Sequence, residues 1–202
     1  MDFSAPPFED QPYALREASE RQRRLAMLQH AHTKPFTEYV TQLRTAHPHR
    51  EVPDFDPLDG GAEAKILYLI EAPWCRAVAS GVVWRNNPAL TARNLCELLQ
   101  EAEIARHETI LWNFIPWYVG DSGSLSAAKN EALSYLPALL GLLPHLEVVA
   151  LVGQKVQALR PLIRRTTSLP LIALHHTSAQ VFNVWPQKRT KCALNSATSK
   201  PC

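Results

Sequence analysis

The fold of this 202-residue chain is decided by the stretch Lys65-Ile-Leu-Tyr-Leu-Ile-Glu-Ala72, a short apolar run that stops at Pro73. Three similar, mainly apolar runs occur later, at residues 109–115, 147–153 and 169–175. Such runs are typical of strands that are buried on both faces of a parallel sheet. We therefore predict four buried parallel strands.

Helical patterns of apolar residues separate these runs. They predict helices at residues 14–30, 36–46, 126–143 and 154–165, and one more that begins at an Asn87 N-cap. Strands that alternate with helices predict an α/β fold, here a three-layer α/β/α sandwich with a central four-stranded parallel sheet. We expect a single domain overall, in which an N-terminal arm and helices (1–50) pack on an α/β domain (51–202).

Composition places the chain among ordinary globular proteins, with 46% hydrophobic and 20% charged residues. No apolar run approaches the roughly 18 residues of a membrane-spanning helix, and the start shows no signal-peptide pattern. The cysteines are widely spaced without a Cys-x-x-Cys pair, which argues against a disulfide framework, a zinc site and an iron–sulfur cluster. The four cysteines are Cys75, Cys96, Cys192 and Cys202. We expect a cytoplasmic protein without metal, cofactor or membrane contact.

Charge is distributed unevenly along the chain. Up to Glu147 there are 13 Lys and Arg against 19 Asp and Glu, a net charge of −6, whereas residues 148–202 carry 8 basic residues and no acid, which completes the overall +2. A basic segment of this kind attracts a polyanion such as a nucleic acid. It equally suits helices whose basic residues merely face solvent, and charge alone leaves both interpretations open.

Polar side chains follow the predicted strands. In parallel sheets, ligands bind at the carboxyl ends of the strands. Glu71 follows the first run, Asn113 lies within the second, and His175 and His176 follow the fourth. A carboxylate can activate water or stabilise a cation, an amide can pair with a base edge, and an imidazole can stabilise a developing negative charge.

Each of these side chains also has a structural interpretation. Glu71 could cap the next helix or pair with an arginine, and Asn113 could bond to loop backbone. One of the two adjacent histidines must point away from the other. The residues alone therefore leave catalysis and structure open.

Five segments together resemble the uracil-DNA glycosylase superfamily, most of all its bacterial branch with a Glu-Ala-Pro-Gly first motif, without the iron–sulfur cysteines. The resemblance extends from about residue 52 to residue 189. The segments stand in the family's order: Glu71-Ala-Pro73, Gly81-Val-Val-Trp-Arg-Asn-Asn-Pro-Ala-Leu-Thr-Ala-Arg-Asn-Leu95, Leu111-Trp-Asn-Phe-Ile-Pro-Trp117, Val152-Gly-Gln-Lys155, and His176-Thr-Ser-Ala179 with Val181-Phe-Asn183 and Lys188-Arg189.

The resemblance implies catalytic roles for three residues. Glu71, with the backbone of Ala72, matches the position that orients water or stabilises the sugar cation. Asn113 matches the residue that reads the base, and His176 the one that stabilises the leaving base anion, with His175 outside the motif. The base must leave the helical stack, because stacking hides its glycosidic bond.

The resemblance also implies DNA contacts. The loop of Thr177, Ser178 and Ala179 inherits the role of entering the gap that the extruded nucleotide leaves. The basic side chains expected to contact DNA are Arg85, Lys188 and Arg189.

The predicted base pocket departs from the family pattern. Trp74 replaces a glycine, Val82 stands where an aromatic residue usually stacks on uracil, and Trp84 replaces a serine. Both prolines of the histidine motif are also absent. With Ala72 and Pro73, these residues predict a reshaped pocket with room for a bulkier base.

We thus predict a monofunctional DNA glycosylase that leaves an abasic site and acts on DNA as a monomer. Two substrates are possible. Uracil would indicate DNA repair. A modified base, such as a derivatised cytosine in foreign phage DNA, would indicate antiviral defence. The alternative is a catalytically silent DNA-binding protein with the same fold. Loss of Glu71, Asn113 or His176 would favour that alternative, and all three are present.

Overall fold

A computed structural model describes residues 10–83, 85–120 and 125–178, with backbone only for residues 125–127. The helices of this part are α1 (Ala18–Met27), α2 (Lys34–Ala46), α3 (Cys75–Ser80), α4 (Leu90–Glu101), α5 (Leu125–Leu133), α6 (Leu136–Gly141), α7 (Gln154–Gln157) and α8 (Arg160–Ile163). Its strands are β1 (Asp54–Phe55), β2 (Ile66–Ile70), β3 (Val82–Val83), β4 (Thr109–Asn113), β5 (Val148–Val152) and β6 (Leu171–Leu174).

The four predicted strands form one parallel sheet in the order β4-β2-β5-β6. The side chains of β2, β4 and β5 are buried almost throughout, because helices cover the sheet and these strands are apolar on both faces, whereas the edge strand β6 is partly exposed. The prediction of an α/β fold around a four-stranded parallel sheet is confirmed. A second parallel pair, β1 with β3, is too short to leave a pattern in the sequence.

The N-terminal helix α2 packs on this sheet. Phe36 and Tyr39 of α2 contact Phe55, whose ring stacks on Trp112 of β4 with centroids 3.6 Å apart. Burying side chains of this size contributes roughly 1.5–3 kcal/mol each. This packing joins residues before the sheet to its core.

Two predicted long helices are each divided in the structure. Residues 126–143 form α5 and α6, and residues 154–165 form α7 and α8. A proline ring clashes with the carbonyl group four residues earlier and lacks an N–H. α5 ends four residues before Pro137 and α7 ends four residues before Pro161, so the prolines explain both breaks.

Two other predicted helix starts differ. The 14–30 segment begins with a 3-10 turn, Ala14–Arg16, before α1. The N-cap of α4 is Ala89 and not Asn87, whose amide donates a hydrogen bond to the Val82 carbonyl at 3.2 Å. Within the described ranges, no helix combines the length and apolar character needed to span a bilayer.

Candidate active site

The carboxyl ends of the four strands meet along one edge of the sheet, here called the carboxyl edge. Asn113, the last residue of β4, lies opposite Ile70, the last residue of β2. Backbone pairing continues one step further, because the Ile115 N–H donates to the Glu71 carbonyl at 2.9 Å. Asn113 therefore ends β4 and Glu71 directly follows the neighbouring strand β2, one residue further along.

β5 and β6 bring two further segments to the carboxyl edge. The Gly153 N–H donates to the Leu174 carbonyl at 2.9 Å, so the start of α7 lies beside the residues that follow β6. Lys155 is in the first turn of α7, and His175 and His176 follow Leu174. The fold thus brings Glu71, Asn113 and His176 to one edge of the sheet.

Asn113 has an unusual environment. Its side chain is only 1% exposed, and neither its amide oxygen nor its amide nitrogen has a hydrogen-bond partner among the described residues. A buried polar group without a partner costs about 1–3 kcal/mol. Such groups are rare in native proteins, and ligand binding is one explanation for them. The interpretation of Asn113 as a side chain bonded to loop backbone does not hold.

Glu71 forms an ion pair with Lys155, whose Nζ lies 3.1 Å from Oε2. The Glu71 side chain is 26% exposed, so its carboxylate still meets solvent. It does not cap the next helix, because the N-cap of α3 is Trp74 and no side-chain bond closes that end. The structural alternative for Glu71 was an ion pair with an arginine. The structure has such an ion pair, but its cation is Lys155.

The geometry of His176 defines its tautomer. The Ser178 N–H donates to Nδ1 at 3.2 Å, so Nδ1 acts as an acceptor and the neutral ring carries its proton on Nε2. Burial lowers the pKa of His176 below its ordinary value of 6.5; Glu71 opposes this shift and Lys155 adds to it. At neutral pH the ring is therefore an uncharged Nε2–H donor.

Gly153 allows the close approach of α7 to this ring. Its φ of 96° is in the left-handed region that favours glycine, and a Cβ there would lie 3.1 Å from His176 Cδ2. In the sequence, Gly153 and Lys155 were noted only as part of a motif, without a role in the site. They stand at the end of a predicted strand and directly after it, and this position could have predicted that they lie at the carboxyl edge.

The expected DNA-entering loop is anchored at its first residue. Thr177 is buried; its hydroxyl donates to the Thr91 carbonyl at 2.9 Å, and its own carbonyl accepts from the Asn94 amide at 2.8 Å. A side chain held against α4 in this way does not project towards DNA. Ser178 is half-buried, and Ala179 lies outside the described residues.

Arg85 also lies away from the expected DNA surface. It belongs to a set of five buried or nearly buried charges, here called the buried ion cluster, and its Nη2 lies 3.1 Å from Asp59. Because its guanidinium is enclosed, it cannot contact a phosphate in this structure. The cluster consists of Arg24, Asp56, Asp59, Arg85 and Arg106. Lys188 and Arg189 lie outside the described residues.

The predicted pocket residues differ in exposure. Val82 is fully enclosed and packs with Leu15, so it offers no face to a base, contrary to the expectation from sequence. Ala72 and Pro73 are buried beside Glu71. Trp74, at the start of α3, is 67% exposed, and Trp84 lies outside the described residues. The structure thus retains Trp74 as an accessible aromatic side chain near Glu71.

Among the described residues, no three His, Cys, Asp or Glu side chains are grouped so that they could hold a metal ion. Cys75 is exposed and Cys96 is buried, and both are free thiols; Cys192 and Cys202 lie outside the described residues. The carboxyl edge itself carries a carboxylate, an amide, an imidazole and an ammonium group, those of Glu71, Asn113, His176 and Lys155.

Comparison with solved structures identifies the fold. The chain is similar to the crystal structure of wild-type Pedobacter heparinus SMUG2, with a TM-score of 0.54 and 10% identity over 82% of each chain. It also matches a Methanosarcina acetivorans NMR structure, provisionally described as a uracil DNA glycosylase, with a TM-score of 0.47 and 14% identity over 68% of this chain and 91% of that one.

No family model matches the chain, and no curated protein matches it. The chain shares the fold of the SMUG2 structure, and in this chain that fold is a four-stranded parallel sheet between helices. In this chain, the candidate active site consists of the polar side chains at the carboxyl edge: Glu71, Asn113, His176 and Lys155.

Proposed function

We propose that this protein is a DNA glycosylase of the uracil-DNA glycosylase superfamily, which hydrolyses the bond between an extruded base and its deoxyribose. The observation that carries the proposal is the buried Asn113 amide, which has no partner among the described residues and lies on the same edge as Glu71 and His176. An amide presents a donor and an acceptor side by side, which is the pattern of a base edge. An extruded base would supply the missing partners.

His176 would stabilise the departing base. When the glycosidic bond breaks, its electron pair goes to the base, and negative charge builds on a ring carbonyl oxygen. A neutral Nε2–H donor held by the Ser178 backbone is suited to that oxygen. A preorganised donor of this type typically contributes about 10²–10³ in rate.

Glu71 would act on the sugar. Its carboxylate lies beside Lys155 and is partly open to solvent, so it can stabilise positive charge at C1′ and orient a water molecule. The water oxygen then bonds to C1′, and its proton passes to the carboxylate. The products are a free base and an abasic site, without strand cleavage by this step.

Trp74 favours a base larger than uracil as the substrate. An exposed indole three residues after Glu71 can pack against a ring substituent or a sugar. We therefore propose that a cytosine with a bulky substituent, as in modified phage DNA, competes with uracil as the substrate. A defence role, a cytoplasmic location and a monomeric state remain predictions.

The test uses end-labelled duplexes that each contain one target base: uracil, a mismatched thymine, unmodified cytosine or a cytosine with a sugar at C5. After incubation and alkali treatment, cleavage at the target reports an abasic site. We expect excision of at least one base and a loss of about 10²–10³ in the Asn113→Ala variant.

Asn86→Ala is the matched control for an amide change, because Asn86 is buried but its amide is bonded, to the Gln11 carbonyl and to Arg24. Binding of the duplexes without excision of any base would contradict the proposal and favour the catalytically silent DNA-binding protein.

A further inference from the structure

Lys155 makes a contact that stability does not explain. Its side chain is 70% exposed, yet its ammonium lies 3.1 Å from the Glu71 carboxylate. Ion pairs this exposed usually contribute only about 0–1 kcal/mol, because water screens them and ordering a lysine costs entropy. The role of the contact must therefore be sought in the site.

The sheet order explains how the pair forms. β5 lies beside β2 on one side and β6 on the other, so the first turn of α7 stands between Glu71 and His176. Gly153 lets this turn approach the imidazole closely, as the 3.1 Å distance to a virtual Cβ shows. An ammonium, a carboxylate and an imidazole thus come from three neighbouring strands.

We propose that Lys155 is a positioning residue: it holds the Glu71 carboxylate and keeps His176 in its uncharged, Nε2–H-donating form. This inference rests on the proposed glycosylase function and deepens it. It gives Lys155 a role through Glu71 and His176, without contact to the reacting atoms.

The charges around His176 determine whether the removal of Lys155 raises or lowers the pKa of His176. Glu71 faces it from the end of β2 and Lys155 from α7, while Thr91 and Asn94 of α4, which bond to Thr177, are uncharged. His175 is its neighbour along the chain. Burial lowers the pKa of His176, Glu71 raises it, and Lys155 lowers it. Without Lys155, burial alone opposes the negative charge of Glu71, so the balance moves towards the imidazolium.

Protonation of the ring would also disturb the backbone. A proton on Nδ1 would face the Ser178 N–H, which now donates to that atom at 3.2 Å. Two donors cannot share this contact, so the segment after His176 would lose its hydrogen bond. Lys155 therefore maintains both the charge and the orientation of the ring.

The experiment follows the protonation of His176 by NMR, with ¹⁵N-labelled histidine, in the unchanged protein and four variants. Lys155→Met keeps the aliphatic stem and removes the charge, and Lys155→Arg restores it. Lys65→Met is the matched control, because Lys65 is also exposed and pairs with Glu108 at 3.6 Å, at the start of the sheet. A His176→Gln variant assigns the signal.

We expect Lys155→Met to raise the pKa of His176, and Lys155→Arg and Lys65→Met to leave it unchanged. In excision assays, the acid limb of the kcat profile of Lys155→Met should move to higher pH, so that activity falls several-fold more at pH 6 than at pH 8.

Two results would overturn the inference: an unchanged His176 titration in Lys155→Met, or an equal change in Lys65→Met. A rise in KM alone, without either pH shift, would instead identify Lys155 as a phosphate contact. The titration needs no substrate, so absence of excision on every duplex would refute the proposed function and leave the test of Lys155 intact.

Discussion

Two polar regions of this protein lie near opposite ends of the same strands and are built in opposite ways. Near the start of β4, the buried ion cluster pairs its carboxylates with guanidinium groups: Arg24 lies 3.0 Å from Asp56, and Arg85 lies 3.1 Å from Asp59. At the carboxyl edge, the Asn113 amide has no partner among the described residues. Ion pairs of the cluster hold distant chain segments together, whereas the Asn113 side chain makes no such bond to the described residues.

The buried ion cluster connects distant segments. Arg24 comes from α1, Asp59 precedes the sheet and also accepts the Leu111 N–H at 3.1 Å, and Arg106 precedes β4. Asp10 adds a bond to Arg106 at 2.9 Å, so the end of the predicted N-terminal arm is tied to the core; residues 1–9 lie outside the described residues. The cluster therefore organises the fold and leaves the site free for chemistry.

The largest effect should come from the cluster. Asp59→Ala removes the partner of Arg85 and Arg106 and leaves buried positive charge, which typically costs about 3–5 kcal/mol. Urea unfolding measures the loss. Glu38→Ala, at an exposed pair with Lys34, should change the unfolding free energy little. Equal unfolding free energies of the Asp59 variant and the wild type would contradict the stabilising role of the buried ion cluster.

At the carboxyl edge, substitution should affect rate and not stability. We expect His176→Ala to reduce excision by about 10²–10³ while its unfolding midpoint stays near that of the wild type. Single-turnover excision and thermal unfolding, measured on the same preparation, test both parts. Near-normal excision in a folded variant would transfer the role to His175 or dismiss it.

Trp74→Ala should change substrate preference by a smaller factor. Loss of the exposed indole removes packing worth about 0.5–1.5 kcal/mol, so excision of a bulky modified cytosine should fall up to about tenfold relative to uracil. Leu25→Ala, at another exposed apolar side chain, is the control. An unchanged ratio of the two rates would remove Trp74 from the specificity site.

The carboxyl edge should also make the stability of the fold depend on pH, through His176. The folded-state pKa of His176 is lowered, so the folded protein binds fewer protons than the unfolded chain, and the stability from neutral His176 is lost as the pH falls below about 6.5. His176→Gln should remove that part of the slope of unfolding free energy against pH. An identical slope in the variant would mean that His176 is not the group responsible.

The smallest effect concerns the basic C-terminal segment. If Lys188 and Arg189 contact phosphates, replacing both by alanine should lower the slope of log affinity against log salt by about two, because each contact releases about one counterion. Filter binding over a salt series measures this. An unchanged slope and affinity would indicate that the basic residues only face solvent.

Much of the site was predictable because parallel strands place their carboxyl ends on one edge. Glu71, Asn113 and His176 each follow or end an apolar run, and the structure brings them together there. The breaks before Pro137 and Pro161 were also predictable from proline chemistry, although the apolar pattern alone suggested continuous helices.

The residues whose expected roles the structure does not support share one property: their surroundings come from distant parts of the chain. Val82 is enclosed by Leu15, Arg85 meets Asp59, and Thr177 is bonded to α4. No local pattern distinguishes an exposed arginine from one that is neutralised by a distant carboxylate. Burial of these side chains therefore required the fold.

By itself, the sequence determined the four strands, their parallel arrangement and the residue types at their ends, because continuous apolar runs and their alternation with helical patterns are visible along the chain. Only the tertiary structure decided that Asn113 lacks a partner in the described part of the chain, that Nδ1 of His176 accepts a hydrogen bond, and that Lys155 meets Glu71. These features depend on distances between groups that are far apart along the chain, and packing alone sets those distances.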